Sequence, residues 1–337
     1  MSKRQGGPDP GVLSSSVVVC TYNGERFLGA QLDSLLAQSC RPGEILIYDD
    51  ASTDATLDIA RDFIARAQRT GIDARLAVQP VNIGFVANFS AALAAARGDV
   101  VLPCDQDDVW YPDKLATLLP MFAARPSLSL VFTNARLVNA RGETLGHTLF
   151  DALVLSSAEI ASIHRGEAFD VLVRRSAATG ATVALRRTLL DQALPIANGW
   201  IHDEWLAIGA AAIGEVDLVE RPLIDYRQHG GNQVGMRKRR MRDRWLDMFR
   251  PCEPLLRGEL ARMDTLDAWL TGHPAPGLQG RRAAVDARHR HYVARLALGE
   301  RPRLQRWPAV IGEWSRGDYG RYSNGFRSVL RDVLRRG

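Results

Sequence analysis

The sequence lacks the glycine-rich phosphate loops of two large nucleotide-binding classes. It contains neither GxxxxGKS nor GxxxxGKT, and no GxGxxG follows its first apolar run. These absences disfavour a phosphate-loop NTPase and a conventional dinucleotide oxidoreductase. A nucleotide bound by this chain therefore needs other groups, such as a metal ion between carboxylates, to hold its phosphates.

Cysteines and long apolar runs are also scarce. The four cysteines form no CxxC pair, which argues against a zinc finger or a disulfide framework, and Cys20 and Cys104 each end an apolar run as buried thiols of a reducing compartment would. The apolar stretch 205–214 is shorter than the roughly 20 residues of a membrane span. Residues 1–16 lack the apolar core of a signal peptide. We therefore expect a cytoplasmic protein without a membrane span.

The composition is otherwise that of a globular protein with acidic partners. Of the 337 residues, 46% are apolar, which suffices for a buried core. The net charge is +5, which suits nucleotide phosphates, anionic lipid or nucleic acid.

Strand and helix patterns alternate through the first 135 residues. The predicted strands are nearly continuous apolar runs: Ser16–Cys20, Glu44–Tyr48, Arg75–Gln79, Val100–Cys104 and Leu128–Thr133. Helical spacing lies between them, over 27–36, 57–67, 85–96 and from Pro112 to Phe122. Further on, the patterns predict a strand running into a helix over 183–190, a helix over 203–212 and a strand over 214–220. This order predicts a doubly wound, mainly parallel α/β sheet with helices on both faces.

Polar residues follow three of the predicted strands directly. They are Thr21-Tyr22-Asn23-Gly24, Asp49-Asp50-Ala51-Ser52 and Asp105-Gln106-Asp107-Asp108. Ligands of such sheets collect beyond the carboxyl ends of the parallel strands. We therefore expect all three groups to meet at one edge of the sheet.

The group Asp105, Asp107 and Asp108 predicts a metal site. Clustered carboxylates stay ionised only beside a cation, and hard oxygen ligands select Mg²⁺ or Mn²⁺. The alternative is a cap on the following helix, for which one aspartate would suffice. Three aspartates favour the metal.

Asp49 and Asp50 leave two interpretations open. A carboxylate accepts a hydrogen bond from the imide N–H of uracil or thymine, or else caps the following helix. Tyr22 is placed to cover a base, although the tetrapeptide around it is weak evidence.

Two segments of the second half carry further candidates. His202-Asp203-Glu204-Trp205 opens a helical pattern, so that an acid there can serve as general base or merely cap the helix. In Tyr226-Arg227-Gln228-His229, the imidazole of His229 is a candidate metal ligand and Arg227 a candidate phosphate contact.

Taken in order, these motifs resemble the family-2 glycosyltransferases. The segments are VVVCTYNGERFL, ILIYDDASTDATLDIA, NIGFVANFSAALAAARGDVVLPCDQDDVWYPDKL, WIHDEWLA and YRQHGGNQVG. They cover about residues 15–235, and their ordered combination is more specific than any single motif. DQDDVW and YRQHGGN resemble the rhamnosyltransferase-like branch that builds bacterial surface polysaccharides.

The resemblance implies a GT-A fold, a UDP- or dTDP-sugar donor, Mg²⁺ or Mn²⁺ and inversion at the anomeric carbon. By position it implies nucleotide contacts from Thr21, Tyr22 and Asp50, with Asn23 in the same turn, and a metal and diphosphate motif from Asp105 and Asp107, with Asp108 beside them. Asp203 takes the place of the catalytic base, and Glu204 is the alternative, because many relatives have Glu-Asp here. The QxxRW signature of processive synthases is absent, which favours transfer of single sugars.

Three segments are expected along the chain. They are a flexible N-terminus over 1–15, a GT-A domain over 16–235 with a nucleotide half (16–135) and an acceptor half (136–235), and a basic helical C-terminal region over 236–337. Residues 237–250 contain seven Arg or Lys against two Asp. This helix either lies on anionic membrane, near a lipid-linked saccharide acceptor, or packs on its own domain. An oligomer is a further alternative.

Two rival functions are weaker. A sugar nucleotidyltransferase is expected to carry a glycine-rich, basic loop near its N-terminus, where TYNGER offers only Arg26. A nucleic-acid-binding protein fits the net charge, yet no stacking aromatics or recognition helix accompany the arginines. We therefore expect no nucleic acid partner.

Overall fold

A computed structural model describes residues 13–230 and 252–335 of the chain. The described residues group into two compact units. The first comprises residues 13–168, 177–196 and 201–230, and the second residues 169–176, 197–200 and 252–335. The predicted basic helix at 237–250 lies outside the described residues, as does most of the predicted flexible N-terminus.

One sheet dominates the first unit. In the described part of the chain it contains nine strands: β1 Ser15–Thr21, β2 Glu44–Asp49, β3 Asp73–Val78, β4 Val100–Cys104, β5 Val109–Trp110, β6 Leu128–Asn139, β7 Thr144–Thr148, β8 Val183–Arg186 and β9 Glu215–Gln228. Their order is β3-β2-β1-β4-β8-β6-β9-β5, with β7 paired to β6. The strands β3, β2, β1 and β4 are parallel, and β8 joins them antiparallel.

Helices occupy most of the connections between strands. Up to residue 230 they are α1 Leu28–Leu36, α2 Thr56–Arg69, α3 Phe85–Ala94, α4 Lys114–Ala124, α5 Leu149–Leu153, α6 Ser157–His164, α7 Ala168–Leu172, α8 Arg187–Ala193 and α9 His202–Ile213. The core lies between sheet and helices: Val17 and Val19 of β1 and Leu28, Leu32 and Leu35 of α1 are fully buried. Strands covered in this way have no polar face, which explains their continuous apolar runs.

The predicted mainly parallel α/β fold with a helical C-terminal region is confirmed. Beyond residue 252 the structure describes only helices: α10 Glu253–Gly272, α11 Gln279–Ala297, α12 Arg303–Ser315, α13 Asp318–Tyr322 and α14 Phe326–Leu334. None of the helices in the described ranges is long and apolar enough to cross a bilayer.

Several predicted element boundaries differ from the observed ones because of contacts distant in sequence. The helix α4 begins at Lys114 rather than Pro112, since the Pro112 carbonyl accepts a hydrogen bond from Ser39 N. The strand β6 continues six residues past Thr133, where it pairs with β9 on one side and β7 on the other.

Candidate active site

The loop after β1 is tied to the loop after β2. The Thr21 hydroxyl donates a hydrogen bond of 2.8 Å to Asp49 Oδ2, and Asn23 Oδ1 accepts one of 2.9 Å from Thr53 N. Asn23 has a φ of 46°, a left-handed conformation that asparagine tolerates well. Asn23 therefore holds both loops in place, while nucleotide contacts from Thr21, Tyr22 and Asn23 stay predictions.

Asp50 organises the start of α3 rather than that of α2. Its two carboxylate oxygens accept hydrogen bonds of 2.7 Å from Ile83 N and 2.9 Å from Gly84 N. The carboxylate of Asp49 accepts from Ser52 as well as Thr21, so that neither aspartate caps α2 and that alternative is wrong. Each oxygen of Asp50 retains a second lone pair, which leaves its predicted contact with a base imide available.

Gln106 links the first loop to the acidic loop, a role that the sequence analysis missed. Its Oε1 accepts a hydrogen bond of 2.9 Å from Tyr22 N, and its Nε2 donates one of 3.1 Å to the Tyr22 carbonyl. A Cβ on Gly24 would collide with the Gln106 side-chain amide, so any larger residue here would have to displace Gln106 from Tyr22. The polar tips of β1, β2 and β4 therefore meet at one edge, as predicted from the parallel order.

The short strand β5 carries the acidic loop to the end of β9. Val109 pairs with Asp225 and Trp110 with Ile224 in antiparallel register. This pairing places Asp107 Oδ2 at 2.7 Å from His229 Nε2. It also lets Asp108 Oδ1 accept a hydrogen bond of 2.9 Å from Arg227 N. The predicted metal ligands from the two distant segments are thus brought together.

The carboxylates at this edge interact electrostatically. Burial and the charges of Asp107 and Asp203 raise the pKa of Asp105 to about 7. Burial and the charges of Asp107 and Asp105 raise the pKa of Asp108 well above its usual range. The hydroxyl of Tyr226 is affected by all four carboxylates, which together with burial raise its pKa. Without a cation, Asp105 and Asp108 therefore hold their protons more tightly than ordinary aspartates do.

The donor set suits a divalent cation. Asp108 Oδ2 is buried and has no hydrogen-bond partner among the described residues. Asp107 Oδ2 and His229 Nε2 lie 2.7 Å apart, at hydrogen-bond distance, so two of the predicted ligand atoms share one place. Asp105, Asp107, Asp108 and His229 stay the predicted residues that would hold Mg²⁺ or Mn²⁺; their ligand atoms are not gathered within 4.8 Å of one another, as those of His291, Glu313 and Asp318 are in the described part of the chain.

Lys114 is a second residue that the sequence analysis missed. Its side chain is fully buried, and Nζ donates a hydrogen bond of 2.8 Å to the Ala181 carbonyl and lies 3.7 Å from the centre of the Trp110 ring. Burial lowers its pKa to about 7, against the opposing effects of Cys104, Asp108 and Asp105. In the sequence it looks like the first turn of a surface helix, so no local signal marks it as buried.

Asp203 stands at the start of α9 and faces the same edge. Its Oδ2 accepts a hydrogen bond of 2.9 Å from Gly180 N, and its Oδ1 one of 2.8 Å from Glu204 N. Because its charge raises the pKa of Asp105, the predicted base lies near the predicted metal ligands. Both Asp203 and Glu204 are partly buried.

The side chain of the neighbouring His202 is buried and fills the space between Phe89 and Gly180. Its ring stacks on Phe89 with centroids 4.0 Å apart, and neither ring nitrogen has a hydrogen-bond partner in the described part of the chain. Burial lowers the pKa of His202, so the ring is neutral at pH 7. A Cβ on Gly180 would lie 2.6 Å from His202 Nε2. The turn Gly180–Thr182 and the start of α9 are therefore packed without spare room.

Gly180→Ala is expected to lower turnover by about tenfold or more. The added methyl group must displace the His202 ring and with it Asp203, and small misplacements of a catalytic group are costly. Initial rates of nucleoside diphosphate release measure the effect. The matched control is Gly29→Ala, because a Cβ on Gly29 in α1 meets nothing within 4 Å. Equal rates for the two variants would contradict the packing argument.

Arg227 serves the fold at this edge. Its Nε donates a hydrogen bond of 2.7 Å to the Asp107 carbonyl, and one terminal nitrogen, NH1, lies 3.3 Å from the Ala140 carbonyl. The guanidinium carbon is 4.9 Å from the centre of the Phe27 ring. These contacts position the acidic loop, and the predicted contact of Arg227 with phosphate stays a prediction.

The raised pKa of Asp105 predicts a pH-dependent stability of the metal-free protein. Its folded pKa of about 7 exceeds the ordinary 3.8, so the stability it contributes is present below pH 4 and is lost as pH rises through 7. The free energy of unfolding of Asp105→Asn, relative to that of the wild type, should therefore rise by about 2 kcal/mol between pH 5 and pH 7.5. This amount is already reduced for screening. Urea unfolding in a chelator measures this, and a constant difference would contradict it.

The fold and the acidic edge define a class before any family is considered. A mainly parallel sheet that gathers carboxylates beyond β1, β2 and β4 is the GT-A arrangement, and solved structures share it. The chain belongs to glycosyl transferase family 2, whose sequence profile matches residues 16–187.

Relatives of known sequence support the family. A glycosyltransferase of Nostoc sp. (strain PCC 7120), itself uncharacterised, is 30% identical over 226 residues, which are 65% of this chain and 66% of the relative. An uncharacterised protein of Mycobacterium tuberculosis (strain H37Rv) is 31% identical over 216 residues, 64% of this chain and 58% of the relative. The chain thus spans less than two thirds of the length of these relatives.

Two solved structures are similar in fold. One is TarS 1–349 of S. aureus in complex with UDP-GlcNAc, with a TM-score of 0.57 at 16% identity, covering 96% of this chain and 90% of the other. The second is the mannosyltransferase PcManGT of Pyrobaculum calidifontis in complex with GDP-Man and Mn²⁺. Its TM-score is 0.52 at 18% identity, covering 97% of this chain and 87% of the other.

Proposed function

We propose that this chain transfers a single sugar from a UDP- or dTDP-sugar to an acceptor hydroxyl, with inversion at the anomeric carbon. The observation that carries the proposal is that hydrogen bonds through Thr21, Tyr22 and Gln106 join the loops of Asp50 and Asp107, while the charge of Asp203 acts on Asp105 in the same acidic loop. The linked loops supply a nucleotide side, the acidic loop a diphosphate side and α9 a base. Family membership supports the reaction type.

Asp203 is the residue we assign to proton transfer. One of its carboxylate oxygens takes the proton of the acceptor hydroxyl while the acceptor's own oxygen forms a bond to the anomeric carbon. The bond between this carbon and the donor phosphate oxygen breaks, and its electron pair leaves with the nucleoside diphosphate. The hydrogen bonds from Gly180 N and Glu204 N orient the carboxylate and leave each oxygen a free lone pair. A single displacement of this kind inverts the configuration.

The acidic loop holds the diphosphate end of the donor in this proposal. Asp105, Asp107, Asp108 and His229 would bind Mg²⁺ or Mn²⁺, a Lewis acid that offsets the charge of the leaving diphosphate. The complexes of PcManGT with GDP-Man and Mn²⁺ and of TarS with UDP-GlcNAc support a nucleotide-sugar donor and a divalent ion. The domain limits 16–135 for the nucleotide half and 136–235 for the acceptor half are proposed with it.

The finer assignments rest on motif resemblance alone. DQDDVW and YRQHGGN favour dTDP-rhamnose as donor and a saccharide or lipid-linked saccharide of a bacterial surface polysaccharide as acceptor. A cytoplasmic location, with peripheral contact at the membrane, and an oligomeric state are likewise proposals.

A donor panel tests the proposal. The protein is incubated with UDP-, dTDP- and GDP-sugars and Mn²⁺, and the released products are separated. Slow release of nucleoside diphosphate from one donor is expected, since water replaces the acceptor. Release of pyrophosphate in a parallel incubation with a nucleoside triphosphate and a sugar phosphate would instead assign a nucleotidyltransferase. Neither product, together with retention of nucleic acid, would assign a nucleic-acid-binding protein.

A further inference from the structure

The helix α12 in the second unit exposes its largest apolar side chains to solvent. Leu304, Trp307, Ile311 and Trp314 are 85%, 47%, 59% and 50% exposed. Spacings of three and four residues place them on one face. A second face of the helix is buried and consists of Arg306, Val310 and Glu313, two of which are charged. This is the reverse of the usual surface helix.

The buried face is held by specific partners, so the helix cannot roll to hide its tryptophans. Arg306 donates hydrogen bonds of 3.1 Å to the Asp332 carbonyl and 2.9 Å to the Arg335 carbonyl. Glu313 Oε2 lies 2.6 Å from His291 Nδ1, and its other oxygen accepts from Arg316. Turning α12 would break these contacts and leave buried charges unpaired.

The exposed face continues onto α14. The rings of Trp314 and Phe326 meet edge to face, with centroids 6.3 Å apart, and Phe326 is 62% exposed. We call Leu304, Trp307, Ile311, Trp314 and Phe326 the aromatic stripe. Contiguous exposed side chains of this size mark a surface that binds another apolar body.

The exposed charges of the segment that carries the aromatic stripe are mostly positive. Five exposed arginines lie between residues 300 and 335: Arg301, Arg303, Arg316, Arg321 and Arg327, of which Arg316 is paired with Glu313 and Asp318. Glu300 is the one exposed carboxylate in this described segment. Glu313 and Asp332 are buried, Asp318 is partly buried, and all three are paired with arginines. The surface therefore suits an anionic partner.

We propose that the aromatic stripe and its arginines dock the chain on an anionic lipid surface. Tryptophan prefers the boundary between headgroups and acyl chains, and arginine is attracted to anionic headgroups. A second copy of the chain fits less well, because a symmetric pairing of two stripes would bring two sets of arginines together. The docking is independent of the proposed sugar transfer.

Vesicle sedimentation with the full chain tests the docking. Vesicles of phosphatidylcholine alone are compared with vesicles that also contain phosphatidylglycerol. The chain is expected to sediment with the second kind only, and to be released by high salt. The triple variant Trp307→Gln, Ile311→Gln, Trp314→Gln should lower the partition coefficient by about tenfold or more.

Two comparisons isolate the stripe. Leu255→Gln with Val293→Gln removes exposed apolar surface from α10 and α11 of the same unit and should leave binding unchanged. Arg303→Gln with Arg327→Gln should lower the affinity for anionic vesicles by about 25-fold, at roughly fivefold for each charge. Circular-dichroism melting confirms that each variant is folded.

Three outcomes would overturn the proposal. In the first, the wild type stays in the supernatant with both kinds of vesicle. In the second, the triple variant sediments as well as the wild type, which would move lipid binding to another segment. In the third, analytical ultracentrifugation without lipid shows a dimer that the triple variant loses, which would assign the aromatic stripe to a second copy. None of these results depends on whether the chain transfers sugar.

Discussion

Asp203→Asn is expected to lower the rate of sugar transfer by about 10³-fold, within the range that removal of a general base produces. Asparagine has the same shape and can still accept the hydrogen bond from Gly180 N, yet it cannot take the proton of the acceptor hydroxyl. Donor affinity should change little, because the proposed donor contacts lie on the other loops. The effect therefore appears in kcat rather than in KM for the donor.

Glu204→Gln is the matched control for this prediction. It removes a carboxylate one residue further along α9, in a side chain that is also partly buried. Turnover should stay within about threefold of the wild type, the size of a small electrostatic change. Initial rates of nucleoside diphosphate release, measured with acceptor or water, compare the two variants. Loss of activity in Glu204→Gln with retention in Asp203→Asn would move the base to Glu204.

Asp107→Asn is expected to abolish metal-dependent donor binding. A donor nucleotide with Mn²⁺ at about 100 times its Kd stabilises the wild type by about 2.7 kcal/mol, and the variant should lose nearly all of this. Turnover should fall by about 10²-fold or more, as it should when a chelator removes the metal from the wild type. Thermal shifts with the nucleoside diphosphate and Mn²⁺ measure the binding.

The same substitution should not destabilise the ligand-free protein. The charge of Asp107 raises the pKa values of Asp105 and Asp108, so removing it relieves repulsion inside the cluster. The melting temperature without metal is therefore expected to stay equal or rise. Asp58→Asn, which changes an exposed aspartate on α2, serves as control and should leave both quantities unchanged. An equal shift with Mn²⁺ in wild type and Asp107→Asn would contradict the assigned metal site.

Most of the sheet was predictable because its strands are local patterns. Val100–Cys104 was predicted with its observed bounds, and the strands from 16, 44 and 75 agree with the observed ones within two residues at each end. The strands β1, β2 and β4 are buried on both faces and therefore apolar along most of their length, so that their bounds can be read from the sequence; β3 is partly exposed. The polar tips were predictable for the same reason, since an abrupt change to carboxylates marks the strand end.

The contacts across the site depended on pairing between distant segments. Asp107 and His229 lie side by side because β5 pairs with β9. The strand β5 has only two residues and is too short for any periodic signal in the sequence. Gln106 and Lys114 likewise acquire their roles from partners far away in sequence, at Tyr22 and Ala181. The predicted roles of individual residues in binding and catalysis stay predictions.

The sequence by itself determined which residues could form the sheet, where its polar edge begins and which carboxylates crowd there, because burial and charge are properties of short segments. Only the tertiary structure decided that His202 is wedged against Phe89, that Lys114 is buried, and that α12 has its tryptophans outside. Helical spacing shows that residues share a face, but which face is covered is set by the partners packed against it.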